Sequence, residues 1–372
     1  MSRLALVASE DWHFYSHRLH LGLAAKRNGF DVSVVTRCRM RAADLARSGL
    51  CPINFEMDRR GSSLRGIWSE SMRLRRIIHS IQPNIIHLIS LRAVVVGAIA
   101  STFLIGPKLV LALNGLGYLF TDGRDISPTS KLLKALLPFL LRRGVIVVQN
   151  AEDFEFVRKC GIAGSRIRLI RGAGVDVKLF RPSDEPCGTP IVMLPSRLLW
   201  DKGIGEFVQA AQLLRAKGAK ARFVLVGSPD SENPSTVSSV SCSQWAAEGV
   251  VELWGLRERM EEVLPQSAIV CLPSYREGLP KSLLEAMACQ RPCITTDNSG
   301  CREAVRNGDN GLLVPIKDPY ALAVAIEQLI GDRQLRIRMG CSGRERAVNE
   351  FSDEVVDAQT LAVYDELLTK GM

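Results

Sequence analysis

The chain has 372 residues, of which 47% are hydrophobic, and it carries a formal net charge of +9. This length exceeds that of a typical single core, so two domains are expected. The longest uncharged apolar stretch, residues 93–107, is shorter than the ~20 residues that span a bilayer, which indicates a soluble or peripheral protein.

Apolar strands alternate with helices through the first half of the chain. Near-continuous apolar strands separated by helices are typical of a parallel, doubly wound α/β sheet. The predicted strands are 4–8, 31–35, 53–56, 85–88, 108–113, 145–149 and 168–170, and the predicted helices are 16–27, 64–81, 93–103, 129–141 and 151–159.

A segment with three prolines, residues 181–190, has no periodicity and predicts a linker. The alternation then resumes, with strands at 191–194, 222–226, 250–253, 269–272 and 292–295 and terminal helices at 319–331 and 352–369. Residues 228–243, rich in Ser and Pro, predict a mobile loop. We therefore expect a Rossmann-like domain over 1–182, a second one over 183–350 and a terminal helical segment over 351–372.

Charge is unevenly distributed between the two halves. Residues 1–182 contain 28 Lys/Arg against 13 Asp/Glu, a net charge of +15, whereas the remainder has a net charge of −6. This asymmetry predicts an anionic partner for the first half. Basic residues flank apolar ones in the predicted helices 64–81 and 129–141, a composition that suits a membrane interface. A core helix with a solvated basic face is the alternative, and nucleic acid is a weaker one because no recognition motif is present.

Cysteine and histidine spacing argues against a zinc site. The ten cysteines contain no Cys-x-x-Cys pair, and all five histidines lie within the first 87 residues. Free thiols in a reducing cytosol are the better account of the cysteines. We expect no metal and no other cofactor, and no signal peptide, since the first strand begins almost at Met1.

The segment 275–288, Tyr-Arg-Glu-Gly-Leu-Pro-Lys-Ser-Leu-Leu-Glu-Ala-Met-Ala, is the most informative motif. It predicts a loop at the carboxyl end of a buried strand, followed by a helix, which is where open α/β sheets bind ligands. The amides of Gly278 and Leu279 at the helix start favour a phosphate. Glu285 can accept both hydroxyls of a ribose, and Glu277 would face the group beyond the phosphates. Two ordinary surface glutamates are the alternative interpretation.

This segment resembles the signature of the retaining glycosyltransferase family 4, in which two glutamates separated by seven residues occur at this place. Further motifs match in the family's order along the chain: Gly174-Val175-Asp176, Ser196-Arg197-Leu198, Asp201-Lys202-Gly203, Val224-Leu225-Val226-Gly227, Trp254-Gly255 and Asn310-Gly311-Leu312-Leu313-Val314. The resemblance implies the GT-B fold, in which two Rossmann-like doubly wound domains face each other across a cleft. It also implies that the last helix crosses back to the first domain.

The resemblance assigns the nucleotide-sugar donor to the second domain. Arg197 and Lys202 would neutralise the departing diphosphate without a metal, which agrees with the lack of any Asp-x-Asp. Gly227 and Gly255 would line the donor site at two strand ends. In the front-face displacement that the family implies, Glu277 would orient donor-sugar hydroxyls rather than form a covalent bond.

The first domain is expected to bind the acceptor. Ser16 is a candidate cap of the first helix, and His17 and Arg18 after it could engage an acceptor phosphate. Asn114, Gly115 and Gly117 follow a buried strand, and the glycines would permit close approach of a ligand. These regions are most similar to the bacterial branch that builds surface polysaccharides such as O-antigen and capsule.

That branch adds a hexose or N-acetylhexosamine to a saccharide on a polyprenyl diphosphate. The resemblance therefore implies a UDP-sugar donor, a lipid-linked acceptor, an anionic membrane surface and a location on the inner face of the cytoplasmic membrane. The alternatives are a transferase with a soluble or glycolipid acceptor, a sugar-nucleotide 2-epimerase, a dinucleotide-dependent dehydrogenase and a non-catalytic sugar-binding protein. The dehydrogenase would need a Gly-x-Gly-x-x-Gly after a first strand, and residues 9–16 contain no glycine.

Overall fold

The chain forms two compact units. The structure, a computed structural model, describes residues 1–57, 63–102, 104–114, 128–231 and 233–369, except for the side chains of 128–134. Unit 1 comprises Met1–Ala173 together with Asp353–Met372, and unit 2 comprises Gly174–Ser352. The units divide after Ala173, earlier than the expected boundary at residue 182.

Each unit contains one parallel sheet. The strands are β1 (Ser2–Glu10), β2 (Phe30–Arg37), β3 (Cys51–Asn54), β4 (Ile85–Ile89), β5 (Lys108–Leu113), β6 (Val145–Val148), β7 (Ile167–Leu169), β8 (Ile191–Pro195), β9 (Arg222–Val226), β10 (Glu252–Gly255), β11 (Ile269–Leu272), β12 (Cys293–Thr296) and β13 (Gly311–Val314). The orders are β3-β2-β1-β4-β5-β6-β7 and β10-β9-β8-β11-β12-β13. In each sheet the strand order reverses once, between β1 and β4 in unit 1 and between β8 and β11 in unit 2. This reversal is the Rossmann-like pattern.

Helices cover both faces of each sheet. They are α1 (Asp11–Arg27), α2 (Ala42–Arg47), α3 (Leu64–Ile81), α4 (Leu91–Ala100), α5 (Pro128–Leu141), α6 (Ala151–Lys159), α7 (Ile204–Ala216), α8 (Ser239–Ala247), α9 (Met260–Val263), α10 (Lys281–Ala288), α11 (Ser299–Ala304), α12 (Pro319–Gly331), α13 (Arg333–Glu350) and α14 (Asp353–Thr369). The predicted doubly wound α/β architecture is confirmed.

Alternation along β1 explains the layering of unit 1. Ala5 and Val7 belong to a core that α3, α4, α5 and α6 complete, whereas Leu4 and Leu6 belong to the opposite core, with α1, α2 and α14. Successive strand residues point to opposite faces, so a strand buried on both sides must be apolar throughout. The same division holds in unit 2, where Val192 and Met193 lie in different cores.

The C-terminal helix α14 is an integral part of unit 1. Its Tyr364 is buried and its hydroxyl lies 2.6 Å from Nδ1 of His87 on β4. Asp357 lies 2.8 Å from Nδ1 of His20 on α1. Because α14 follows unit 2 in sequence, its side chains complete a core that begins with the first strand.

Several local predictions were wrong. Helix α1 begins at Asp11, directly after β1, so Ser16 lies inside the helix and does not cap it. Strand β13, which lies within residues 310–314 and pairs with β12, was not among the predicted strands. Part of the loop expected at 228–243 belongs to helix α8, which Ser238 caps by accepting a hydrogen bond from the amide of Ser241.

The proline-rich segment 181–190 is anchored within unit 2. Arg291 donates hydrogen bonds to Ser183 Oγ and to the carbonyl of Asp184 at 2.6 and 3.0 Å. Glu185 accepts from Arg336 at 2.9 Å. These buried guanidinium groups hold the irregular segment against the unit, so it is not a free linker.

No helix among residues 1–57, 63–102, 104–114, 128–231 and 233–369 is both long enough and apolar enough to cross a bilayer.

Candidate functional site

The candidate donor site lies at the centre of the sheet of unit 2. Strands β8 and β11 are neighbours there, and the strand order reverses between them. Ligands of open α/β sheets bind beyond the carboxyl ends of the strands at such a reversal. The loop after β8 carries Arg197 and Lys202, and the loop after β11 carries Glu277.

The loop after β8 is fixed by backbone hydrogen bonds to the end of β9 and to the residues that follow it. The amide of Ser196 donates to the carbonyl of Val226 at 3.0 Å, and that of Leu198 donates to Ser228 at 3.0 Å. A short 3₁₀ turn, Trp200–Lys202, then leads to Gly203, whose φ is +73°. A Cβ on Gly203 would overlap the carbonyl of Pro273, so glycine permits the close approach of the two loops.

The loop after β11 is attached to the first loop at its base. The amide of Tyr275 and the hydroxyl of Ser274 both donate to the carbonyl of Asp201, at 2.9 and 3.1 Å. Asn298, at the start of α11, donates to the carbonyl of Ser274 at 3.0 Å. A Cβ on Gly300 would overlap the carbonyls of Glu277 and Gly278, so α11 supports the same loop from below.

This arrangement brings the predicted catalytic pair together. Nζ of Lys202 and Oε1 of Glu277 form an ion pair, with 21% and 12% of the side chains exposed. Partial burial removes part of the solvent screening that weakens such pairs on the surface. The two charges lie beside each other although they are 75 residues apart in sequence.

Arg197, the other predicted cation, pairs with an acidic residue that the sequence analysis missed. Nη1 of Arg197 lies 2.9 Å from Oδ2 of Asp230, and nearly half of the arginine side chain is exposed. Asp230 lies in the loop after β9, and its amide donates a hydrogen bond to Thr236 Oγ1 at 2.9 Å. No local sequence signal links the two residues, since the contact depends on the pairing of β8 with β9.

The amides of Gly278 and Leu279, which were predicted to bind a phosphate, do not lie at the start of the helix. Helix α10 begins at Lys281, and Pro280 is the residue immediately before it. Gly278 and Leu279 therefore precede the helix, and the side chain of Leu279 is buried in the core. The amides of these two residues belong to the loop and not to the helix tip, so the expected helix-dipole contribution is weaker.

Glu285 lies on α10, little more than one turn from the start of the helix. Its Oε1 lies 3.7 Å from Nζ of Lys281, four residues earlier on the same helix. The carboxylate is mostly buried, with 14% of the side chain exposed. A partly buried acceptor of this kind can bind a pair of vicinal hydroxyls.

Gly227 and Gly255 lie side by side at the carboxyl ends of β9 and β10. The amide of Gly227 donates to the carbonyl of Gly255 at 2.9 Å. Their φ angles are +144° and +68°. A Cβ on Gly227 would overlap the carbonyl of Ser196, whereas one on Gly255 would meet open space. Only Gly227 is therefore needed for close backbone packing.

Among the predicted acceptor residues of unit 1, Arg18 is buried, whereas His17 and Asn114 are half-buried. Arg18 is 4% exposed, and burial lowers the pKa of its guanidinium. Its Nη2 donates to Oδ1 of Asn114 at 3.5 Å, and Gln149 donates to the same oxygen at 3.3 Å. His17 stacks on His13 with 4.3 Å between the ring centroids. Gly115 and Gly117 lie outside the described residues.

Cation ligands do not cluster in the described part of the chain. No group of three His, Cys, Asp or Glu side chains there could hold a metal ion. Cys301 on α11, beside these loops, is a fully buried thiol. Burial, followed by the negative charge of Glu277, raises the pKa of Cys301 to about 12, which makes it an inert core residue at neutral pH.

Both units match known families. Residues 3–150 match the model described as "Glycosyl transferase 4-like", and residues 189–332 match "Glycosyl transferases group 1". The chain belongs to the family 4 glycosyltransferases. The second match contains the loops that carry Arg197, Lys202 and Glu277, so the central site of unit 2 lies within the matched region.

Two curated relatives are bacterial transferases. This glycosyltransferase is 27% identical to the N,N'-diacetylbacillosaminyl-diphospho-undecaprenol alpha-1,3-N-acetylgalactosaminyltransferase of Campylobacter jejuni, over 98% of this chain and 99% of that protein. It is 31% identical to the capsular polysaccharide biosynthesis glycosyltransferase CapM of Staphylococcus aureus, over 47% of this chain and 46% of CapM.

A solved structure shows the fold of the glycosyltransferase. HepE of Anabaena, crystallised in complex with UDP and glucose, superimposes with a TM-score of 0.80 at 18% sequence identity, covering 98% of this chain and all of that one. The expected GT-B class is thereby confirmed for the two Rossmann-like sheets.

Proposed function

We propose that the enzyme transfers a hexose or N-acetylhexosamine, with retention of configuration, from a UDP-sugar to a saccharide on a polyprenyl diphosphate. The reaction would serve surface polysaccharide biosynthesis. The observation that carries the proposal is the Lys202–Glu277 ion pair at the strand-order reversal of unit 2, whose lysine lies in the same loop as Arg197. Two cations and one carboxylate match the two needs of the reaction, a diphosphate to neutralise and a sugar to orient.

The transfer follows from these groups. The bond between the anomeric carbon and the diphosphate oxygen breaks, and the acceptor oxygen bonds to the same face of that carbon. The proton of the acceptor hydroxyl passes to the departing diphosphate. Arg197 would hold the diphosphate through its planar fork of donors, and Lys202 would add a point charge. Glu277 would accept hydrogen bonds from the donor sugar.

The nucleoside would bind beside these groups. Glu285 would accept the ribose hydroxyls, while Gly227 and Gly255 would leave room for the base at the ends of β9 and β10. The loop amides of Gly278 and Leu279 would donate to the phosphates. We propose that the two side-chain cations replace the divalent ion that other nucleotide-sugar enzymes require, consistent with the lack of any Asp-x-Asp in the sequence.

Unit 1 would bind the acceptor. The Campylobacter relative is named for an undecaprenyl-diphosphate acceptor and matches along nearly the whole chain, which favours the same acceptor class here. Asn114, with its oxygen engaged by Arg18 and Gln149, would present its amide N–H to the acceptor. His17, together with Gly115 and Gly117, would complete this site.

An anionic membrane surface is the proposed partner of unit 1. Trp68 on α3 and Phe139 on α5 are 57% and 62% exposed, and both helices pack against α4. Arg65, Arg76 and Arg142 are also exposed. Apolar side chains between basic ones insert at the interface of a bilayer while the cations contact anionic headgroups. This surface would place the enzyme on the inner face of the cytoplasmic membrane.

Vesicle flotation tests the membrane proposal. We expect the protein to bind phosphatidylglycerol vesicles and to dissociate at high salt. Trp68→Ser and Phe139→Ser should reduce binding, whereas Tyr320→Ser, at a comparably exposed aromatic of unit 2, should not. Equal binding to neutral vesicles, or equal loss with the control, would contradict it.

An assay of transfer tests the main proposal. The purified chain would be incubated with UDP-, GDP- and ADP-sugars, with and without a polyprenyl-diphosphate saccharide, in buffer containing EDTA. We expect product from a UDP-sugar only with the lipid acceptor, with the anomeric configuration of the donor retained by NMR. Loss of activity in EDTA, or an inverted product, would refute the corresponding part of the proposal.

A further inference from the structure

Tyr275 lies where the two donor loops meet. It is the first residue of the loop motif after β11, and its hydroxyl donates to Oε1 of Glu206 at 2.7 Å. Glu206 lies in the first turn of α7, immediately after the loop that carries Lys202. The side-chain contact therefore bridges the polypeptide segments that contain the two halves of the Lys202–Glu277 pair.

The backbone of Tyr275 makes a second connection. Its amide donates to the carbonyl of Asp201 at 2.9 Å, on the other side of Lys202 from Glu206. The Lys202 segment is thus held by one residue at both of its ends. The two contacts lie on either side of Lys202, so together they restrain the orientation of the segment between them.

A third loop contacts the ring of the same residue. Nζ of Lys317 lies 5.0 Å from the centroid of Tyr275, a distance that suits a cation–π contact. Lys317 follows β13 and has a φ of +62°, a backbone conformation that is strained outside glycine. Non-glycine residues held in this way are concentrated at functional sites.

One oxygen of the Glu206 carboxylate, Oε1, accepts the hydrogen bond from Tyr275. Its second oxygen, Oε2, is buried and has no hydrogen-bond partner among the described residues. Burial, together with the hydrogen bond to Glu206, raises the pKa of Tyr275, so the phenol remains a donor at all working pH values. A partly buried carboxylate with one partner loses much of its stabilisation when that partner is removed.

We infer that Tyr275 is a positioning residue, which couples the loop bearing Lys202 to the loop bearing Glu277 through its hydrogen bond to Glu206. The inference deepens the proposed function and depends on it for its catalytic consequence. Lys202 and Glu277 must hold the diphosphate and the sugar in one geometry, and an error of about 1 Å there can cost two orders of magnitude in rate. Substrate contact is not assigned to Tyr275.

Tyr275→Phe removes the hydrogen bond and keeps the ring. We expect kcat to fall by about tenfold or more, while the KM for the donor changes by less than about threefold, because the groups remain present but are less well aligned. Glu206→Gln retains a carbonyl acceptor for the phenol and should preserve kcat. Glu206→Leu should match Tyr275→Phe, and the double variant should be no worse than either.

Hydrogen exchange of the unliganded protein supplies a readout that needs no activity. Tyr275→Phe should increase amide exchange in both segments 197–206 and 273–280, whereas Glu206→Gln should leave both unchanged. Tyr320→Phe, at an exposed tyrosine of the same unit, is the matched control. If Tyr275→Phe increases amide exchange in segment 273–280 alone, the inference is overturned, whether or not the protein is a transferase.

The outcomes distinguish the inference from the proposed function. A wild-type protein that transfers no sugar contradicts the proposed function, and the exchange experiment then decides the coupling alone. An active wild type with a Tyr275→Phe variant of equal kcat and unchanged exchange overturns the inference only. A loss of kcat that Glu206→Gln shares would assign the effect to charge rather than to positioning and would also overturn it.

Discussion

Lys202 and Glu277 form an ion pair that joins the loops following β8 and β11. In this arrangement the two charges neutralise each other, so under the proposed function a diphosphate would compete with Glu277 for the lysine. Binding of the donor sugar to Glu277 would then release Lys202 for the phosphates. The pair would in this way link nucleotide recognition to sugar recognition.

Glu277→Ala should abolish transfer but leave nucleotide binding largely intact. Loss of a group that acts on the transition state lowers kcat by about 10²–10³-fold, whereas release of Lys202 favours the diphosphate. Steady-state kinetics and calorimetry with UDP measure the two effects. Weakened UDP binding that parallels the loss of kcat would contradict this division of roles.

Glu285→Gln should instead raise the KM for the donor, by about tenfold, with a smaller effect on kcat. A charged acceptor of ribose hydroxyls contributes more than a neutral one. The comparison with Glu277→Ala in the same assay is the control. An effect confined to kcat would place Glu285 at the sugar rather than at the ribose.

Asp230→Asn should tighten UDP binding by as much as about fivefold. The exposed Arg197–Asp230 pair is worth at most about 1 kcal/mol, and its removal frees Arg197 for the phosphates. Glu327→Gln removes the partner of Lys217, which lies 2.9 Å away at the surface, and should have no effect on UDP binding. Weaker binding in Asp230→Asn would show that Asp230 orients Arg197 rather than competing for it.

The sequence predicts the sheets well because their strands are apolar on both faces. Helix α3 matches the predicted range, since its apolar residues recur on one side with a polar residue, Ser63, as its cap. The start of α1 was wrong because β1 passes into the helix without a turn. Strand β13 was missed because its four residues, Gly-Leu-Leu-Val, are too few to show an alternating pattern and begin with a glycine.

The candidate site could be predicted only in part. Loop positions after β8 and β11 were sufficient to bring Lys202 near Glu277, because adjacent parallel strands end at the same edge. The pairing of Arg197 with Asp230 and of Tyr275 with Glu206 could not be inferred, since such contacts depend on side-chain packing between segments that are 33 and 69 residues apart. The start of α10 was also misplaced, since Pro280, a residue type favoured at the first helical position, stands immediately before the helix.

Gly227→Ala should destabilise unit 2 more than Gly188→Ala does. Both glycines have positive φ angles, +144° and +100°, but only at Gly227 would a Cβ overlap a backbone carbonyl. The left-handed conformation alone costs about 1–2 kcal/mol, and the overlap should add about 1–3 kcal/mol. Urea unfolding followed by tryptophan fluorescence measures the difference. Equal unfolding midpoints for the two variants would show that the loop at Ser196 shifts without a cost in stability.

Stability should fall as the pH decreases from 6.5 towards 3, because of His87. This side chain is buried on β4, and burial, followed by the charge of Arg18, lowers its pKa from 6.5 to about 3. In that interval the unfolded chain binds a proton that the folded protein excludes, so the free energy of unfolding rises with pH and falls with acid. At pH 5 the expected loss is on the order of 2 kcal/mol.

Chemical denaturation of wild type and His87→Gln at pH 7 and pH 5 measures this contribution. Glutamine cannot titrate, so the variant should be less stable at pH 7 but should lose less stability on acidification. His79→Gln, at an exposed histidine of α3, should retain the wild-type pH dependence. If His87→Gln shows the same pH dependence as the wild type, the imidazole is not the group that links acid to the unfolding of unit 1.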